Sequence, residues 1–159
     1  VAMMDRIARS AENDPVYPAR VHFTETPAEA TTADALSESA AQIARILSAK
    51  AMACYTSSGS TARRIARERP GVPILVMTAS LKVARRLGLQ WGVHAVHTRD
   101  VKSFEEMVGK AKRVALRHKV VGAGERMVVM AGVPFAISGS TNVIHVVKIE
   151  GDELEKHEN

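Results

Sequence analysis

Short apolar runs alternate with segments of helical period over residues 31–150, and this predicts an α/β fold. The expected architecture is a three-layer αβα sandwich around a mostly parallel five-stranded sheet. The last two apolar runs have no helix between them, so they are expected to pair antiparallel and to place an antiparallel strand at one edge. A chain of 159 residues, 46% hydrophobic and 25% charged, is long and apolar enough to bury one core of this kind.

Residues 1–10 put Met4, Ile7 and Ala8 on one face and read as the end of a helix. Residues 11–30 hold Pro15, Pro18 and Pro27 without a sustained period and read as a linker or extended arm. Ala33, Leu36, Ala40, Ile43 and Leu47 then recur at spacings of three and four, with Thr31 and Asp34 placed to cap the helix start. Ala51–Tyr55 is a short continuous apolar run, as a strand buried on both faces requires. The polar turn Thr56–Thr61 leads into a short basic helix to Arg69, stopped by Pro70. Pro73–Thr78 is the second strand. Ser80–Leu87 is a short helix with Gly88 as its stop, and Val93–His97 is the third strand. Ser103 and Glu106 have capping-box spacing before Phe104, Met107, Val108, Ala111, Val114 and Ala115, which share one helical face. Met127–Ala131 and Val143–Ile149 are the last two strands, joined by the long loop Gly132–Asn142.

Composition excludes several functions. Aromatic residues are only 4% of the chain, too few for a base-stacking platform, and a net charge of +5 is mild for a nucleic-acid binder. A single cysteine, Cys54, rules out an internal disulfide and a thiolate zinc site, and fits a reducing compartment. No apolar run reaches the ~20 residues needed to span a bilayer. The chain opens on Val1 with Asp5, Arg6 and Arg9 close behind, which reads as a fragment or processed chain rather than a signal peptide.

Two loops follow strand ends, where open α/β sheets bind ligands. The first is Thr56, Ser57, Ser58, Gly59, Ser60 and Thr61: five hydroxyls and a glycine opening a helix. Unpaired N–H groups and the helix dipole favour an anion there, and a glycine lets the backbone come close, so the loop reads as a phosphate cradle. The same residues also serve a helix cap with nothing bound. No Walker A lysine is present. The second loop runs from Gly132 through Ser138, Gly139, Ser140 and Thr141 to Asn142. Its length suits a segment that closes over a ligand, or a long turn at a sheet edge.

The catalytic inventory is thin. His94 and His97 point to opposite faces of one strand, and His22, His118, His145 and His157 are scattered; packed or surface roles suit all six. Cys54 sits in an apolar strand as an inert thiol. Arg63, Arg64 and Arg67 read mainly as a solvated face, with one arginine available to an anion.

Several ordered motifs carry a family resemblance. Ala53 to Arg63 (ACYTSSGSTAR) resembles the TxSGxTA segment of pyruvate kinase C-terminal domains, and Gly132–Pro134 with Ser138–Asn142 resembles the GVP…SGTTN form of bacterial members. Arg69–Ile74 is similar to the RP-x-x-PI strand entry, and Trp91–Val93 to the W/RGV entry. The resemblance divides the chain into residues 1–12, the last helix of a preceding catalytic barrel; 13–30, a linker; 31–150, the regulatory α/β domain; and 151–159, a tail.

The resemblance implies a parent enzyme of glycolysis, cytoplasmic and tetrameric, that transfers phosphate from phosphoenolpyruvate to ADP with Mg²⁺ and K⁺. Its ATP-binding and metal-binding catalytic residues lie in the barrel. This chain alone is then expected to be inactive, with no cofactor of its own. By the same resemblance Thr56–Thr61 hold an effector phosphate, while Gly132, Ser138, Gly139, Ser140 and Thr141 belong to the loop that closes on the effector. Members that take fructose 1,6-bisphosphate often carry a Trp and an Arg after the third strand. Here Arg99–Glu106 has no Trp, which favours a sugar monophosphate or AMP, with Arg99 or Lys102 as substitutes for a second phosphate. A ligand-free assembly domain, and a sugar-phosphate-binding domain of another enzyme, are the alternatives. Neither nucleic acid nor membrane is an expected partner.

Overall fold

The residues of Ala51–Tyr55 have apolar side chains on both faces, and a strand of that kind is stable only in the middle of a covered sheet. The computed structural model, which describes residues 1–17, 29–134 and 140–150, places it there. The elements are α1 (Ala2–Glu12), α2 (Thr32–Ile46), β1 (Ala51–Tyr55), α3 (Ser60–Arg67), β2 (Ile74–Thr78), α4 (Leu81–Leu87), β3 (Val93–His97), α5 (Phe104–Arg117), β4 (Arg126–Gly132) and β5 (Thr141–Lys148). The strand order is β3-β2-β1-β4-β5, with the first four strands parallel and β4–β5 antiparallel, so the predicted mixed five-stranded sheet is what forms.

Strand alternation divides the core into two layers. Met52, Cys54, Ile74, Val76, Val128 and Met130 pack against Ala40 and Ala44 of α2, Ala62 and Ile65 of α3, and Leu87 of α4. Ala51, Ala53, Leu75, Met77, Met127 and Val129 pack against Met107, Ala111 and Ala115 of α5. Burying each large side chain contributes about 1.5–3 kcal/mol. Small alanines on the helix faces let α2 and α5 lie close to the sheet. Of the predicted stripe on α2, Ala33 and Ala40 are buried and Leu36 and Ile43 pack half-buried against the core, while Ser37, Ala41 and Ala44 widen the buried face.

The caps form largely as the spacing requires. Thr31 Oγ1 accepts from Asp34 N, Ser80 Oγ from Val83 N and Ser103 Oγ from Glu106 N. Glu106 returns its carboxylate to Lys102 N rather than to Ser103, one residue outside the expected box. Gly88 caps the end of α4, the stop expected of it, in a right-handed conformation (φ −60°).

The loop predicted at Gly132–Asn142 is shorter. Gly132 pairs with Thr141 across a register shift, so both strands extend into it. A Cβ on Gly132 would lie 2.4 Å from Ser140 Oγ, and only glycine allows this approach. Ser138 and Gly139 lie outside the described residues, as do His22, His157, most of the 13–30 linker and the 151–159 tail.

No residue of α1 is buried, and Met3, Met4 and Ile7 are all more than half exposed. Its end is tied to the α/β unit by the Trp91 indole N–H, which donates to Glu12 Oε1 at 2.8 Å, while Arg69 stacks over the Trp91 ring. Among the described residues no helix is long and apolar enough to cross a membrane.

Candidate functional site

The connection β1–α3–β2 runs over one face of the sheet, and β3–α5–β4 returns over the other. The direction of winding therefore reverses between β1 and β4. A crevice opens at such a switch point beyond the carboxyl ends of the strands, because the loops leaving neighbouring strands diverge to opposite faces. The loops leaving β1 and β4 are the two that the sequence singled out.

The first loop divides its hydroxyls between structure and surface. Thr56 is buried; its N–H continues the ladder to Met77 O and its Oγ1 accepts from Gly59 N at 2.9 Å. Gly59 holds φ +86°, and a Cβ there would meet Leu87 Cδ2 at 3.1 Å, so α4 packs directly under the turn. Ser58 Oγ donates to Ser60 Oγ at 3.1 Å, and Ser57 is exposed. Gly59 is the N-cap of α3 and offers no side chain to it. Arg63 N is the N–H that reaches back to Gly59 O, so the N–H groups of Thr61 and Ala62 have no intrahelical acceptor. Ser60 N has only a long 3.4 Å contact with Ser58 Oγ. The result is a helix start whose first N–H groups lack intrahelical acceptors and are flanked by serine hydroxyls, which is chemistry for an anion.

The second loop meets the first. Thr61 Oγ1 and Thr141 Oγ1 are 2.8 Å apart and buried. Asn142 clasps the other end of the connection: its Oδ1 accepts from Val133 N at 2.9 Å and its Nδ2 donates to Val133 O at 2.6 Å. Of the residues proposed for the closing loop, Thr141 meets the first loop, while Gly132 and Ser140 lie against each other beside it. A cleft of about 460 Å³ lies between Thr31–Ala33, Arg64 and Ser140–Asn142. A second of about 260 Å³ lies beside Ser60, Arg63 and Arg67.

The arginine run is not simply a solvated face. Arg64 Nε donates to Asp34 Oδ1 at 2.6 Å and Arg67 Nη2 approaches Asp34 Oδ2 at 3.0 Å, while Arg67 also pairs with Glu68. The Asp34 side chain is 1% exposed and also accepts from Glu29 N. Burial alone would raise its pKa, but the Glu29 N–H and the two guanidinium groups outweigh this and hold it below its ordinary value. Arg63 keeps the exposed position. An acid at Asp34, inside the buried stripe of α2, was the available signal that two of the arginines are committed to it.

Sequence reasoning also missed Arg86, whose Nη2 donates to Ser58 O at 2.6 Å, and the pair Tyr55–Asp100. The Tyr55 hydroxyl donates to Asp100 Oδ1 and Val101 N–H does the same, so the Asp100 carboxyl is held below its ordinary pKa. This carboxylate sits at the end of β1, in the region between β3 and α5. Arg99 and Lys102 are exposed there, and the Arg99 and Asp100 carbonyls accept from Lys110 Nζ.

None of the described histidines, nor Cys54, has a side-chain hydrogen bond to the described residues of the two loops, and His97 Nε2 lies 3.2 Å from Ala79 O. His94 packs edge-on to His118 and His145 to Phe104, and burial pushes the Cys54 thiol up to about 12. Among the described residues no three His, Cys, Asp or Glu side chains gather as a metal site.

A family model described as "Pyruvate kinase, alpha/beta domain" matches residues 34–147. The pyruvate kinase of Methylorubrum extorquens is 34% identical over 156 residues, covering 98% of this chain and 33% of the relative. A pyruvate kinase of Agrobacterium vitis is 38% identical over 156 residues, covering 98% and 32%. That of Clostridium acetobutylicum is 35% identical over 150 residues, covering 94% and 32%. The chain spans about a third of the length of these curated relatives.

Proposed function

The chain belongs to the pyruvate kinase family, as its C-terminal α/β domain, and from that premise we propose that it is the regulatory part of an enzyme transferring phosphate from phosphoenolpyruvate to ADP. Its own ligand is a phosphorylated small molecule bound at Thr56–Thr61. The observation that carries this reading is the meeting of the two loops at the switch point: N–H groups without intrahelical acceptors at the start of α3, flanked by Ser58 and Ser60 and tied through Thr61 to Thr141 of the second loop. Effector phosphate in the first loop is also met by the second loop, to which Gly132, Ser138, Gly139, Ser140 and Thr141 are assigned. This biases the packing of the domain only as far as the effector binds one state better than the other.

A monophosphate, either a sugar monophosphate or AMP, suits the site better than fructose 1,6-bisphosphate. The segment Arg99–Glu106 that follows β3 carries no Trp, and its Asp100 carboxylate is already engaged by the Tyr55 hydroxyl and the Val101 N–H. Catalysis, ATP binding and the Mg²⁺ and K⁺ of the parent are assigned to the barrel of the same cytoplasmic protein. Among the described residues here no set of side chains fits a metal. Residues 1–12 are assigned to the last barrel helix, which accounts for the exposed Met3, Met4 and Ile7, and residues 13–30 to the linker.

Calorimetric titration with AMP, glucose 6-phosphate, ribose 5-phosphate and fructose 1,6-bisphosphate tests the reading. One monophosphate is expected to saturate the chain, and the triple variant Ser58→Ala, Ser60→Ala, Thr61→Ala is expected to lose it while keeping its fold. Equal affinity in the triple variant would refute the loop assignment.

A role in subunit assembly has its own support. β5 is an edge strand whose outer backbone is unpaired by the sheet, and Val146 on it is 39% exposed. An assembly domain without ligand would self-associate and bind none of the four phosphates.

A further inference from the structure

The Thr56–Thr61 loop contains hydroxyls and N–H groups but no cation. Arg63, in the first turn of its helix, is exposed beside Ser60, whereas Arg64 and Arg67 are paired with Asp34, and Arg67 with Glu68 as well. Arg69 lies over Trp91. Arg86 differs from all of these. It comes from the last turn of α4, the same turn whose Leu87 packs under Gly59, so its backbone is fixed against the loop. Its Nη2 holds the Ser58 carbonyl at 2.6 Å, and among the described residues it has no carboxylate partner. A guanidinium anchored by a neutral carbonyl keeps its full charge and the rest of its donor fork for another acceptor. Ser58 O is two residues from Ser60, whose N–H opens α3.

We propose that Arg86 is the residue that reads phosphate charge at this loop, a specificity-determining contact that selects a dianionic phosphate. The proposal rests on the loop being the phosphate site. Anchoring on Ser58 occupies the loop carbonyl and holds a positive charge beside the loop's hydroxyls. Dianionic phosphate then gains a charge-assisted hydrogen bond that a monoanion or a neutral sugar gains only weakly.

The test uses the chain as it stands, with glycerol phosphate as a minimal phosphate monoester, titrated calorimetrically from about pH 5 to about pH 7, across the second phosphate ionisation near 6. Parental affinity is expected to rise over this range. Arg86→Gln keeps a donor for Ser58 O but no charge; it is expected to bind about tenfold more weakly at the upper pH and to lose most of the rise. Arg86→Lys is expected to restore the rise. Parental affinity and pH profile in Arg86→Gln, with binding lost in the Ser58/Ser60/Thr61 triple variant, would overturn the role of Arg86 and leave the loop site standing. No saturable binding by the parental chain, or equal binding by the triple variant, would overturn both.

Discussion

Thr61 Oγ1 and Thr141 Oγ1 lie 2.8 Å apart in a buried hydrogen bond that joins the first turn of α3 to the first residue of β5, eighty positions along the chain. It is the direct link between the loop leaving β1 and the strand that receives the loop from β4. Thr61→Val and Thr141→Val should each destabilise the domain by about 1–3 kcal/mol, since each leaves one hydroxyl buried without its partner. The double variant should lose less than the sum, with a coupling of at least about 0.5 kcal/mol in urea unfolding. Strict additivity would mean that the two loops are not coupled through this bond.

Gly59 combines φ +86° with Leu87 3.1 Å from where a Cβ would stand. Gly59→Ala is expected to cost about 2–4 kcal/mol, from left-handed backbone and overpacking together. The urea midpoint should fall and affinity for the effector should fall with it. A midpoint unchanged from the parent would show that the turn is free to rearrange.

Asp34 links the start of α2 to α3 through Arg64 and Arg67. Its folded-state pKa is depressed, so its stabilisation is present above the unfolded value of about 3.9 and is lost as pH falls through the lower folded value. Asp34→Asn should therefore weaken the domain at neutral pH by about 3 kcal/mol, near the low end for a buried pair because both arginines keep about a quarter of their surface in water. It should also flatten the loss of stability below about pH 4. Acid unfolding followed by circular dichroism would show this, and an acid limb identical to the parent's would remove Asp34 from the network.

Cys54 lies in β1 with no exposed surface. Its thiol should react with an aromatic disulfide reagent only at the rate at which β1 opens, and that rate should rise with urea as global unfolding does. Rapid reaction in native buffer would place β1 at an open edge rather than in the middle of the sheet.

The elements that were legible in the sequence are those set by local pattern. Ala51–Tyr55 is continuously apolar because both faces are covered, and Thr31 and Ser103 cap because the N–H three residues on has no other partner. The Thr56–Thr61 loop was legible by composition, but not the division of labour within it, in which Thr56 and Thr61 turn inward and Ser57 outward. What was hidden depends on residues far apart in the chain. Asp34 meets Arg64 across thirty positions and Arg86 reaches Ser58 across twenty-eight, and no local period encodes either. Gly132 reads as loop because glycine weakens a strand. It joins β4 because the close approach of Ser140 requires a residue without a side chain.

The most direct measurement is amide mapping by NMR of the chain titrated with AMP and with glucose 6-phosphate. One of them should shift the N–H signals of Ser57–Ala62 saturably, together with those of Val133 and Ser140–Asn142, and leave the outer face of α5 at Lys112 and Arg113 unmoved. Saturable shifts confined to other surfaces, or none with either ligand, would contradict an effector site at the switch point between β1 and β4.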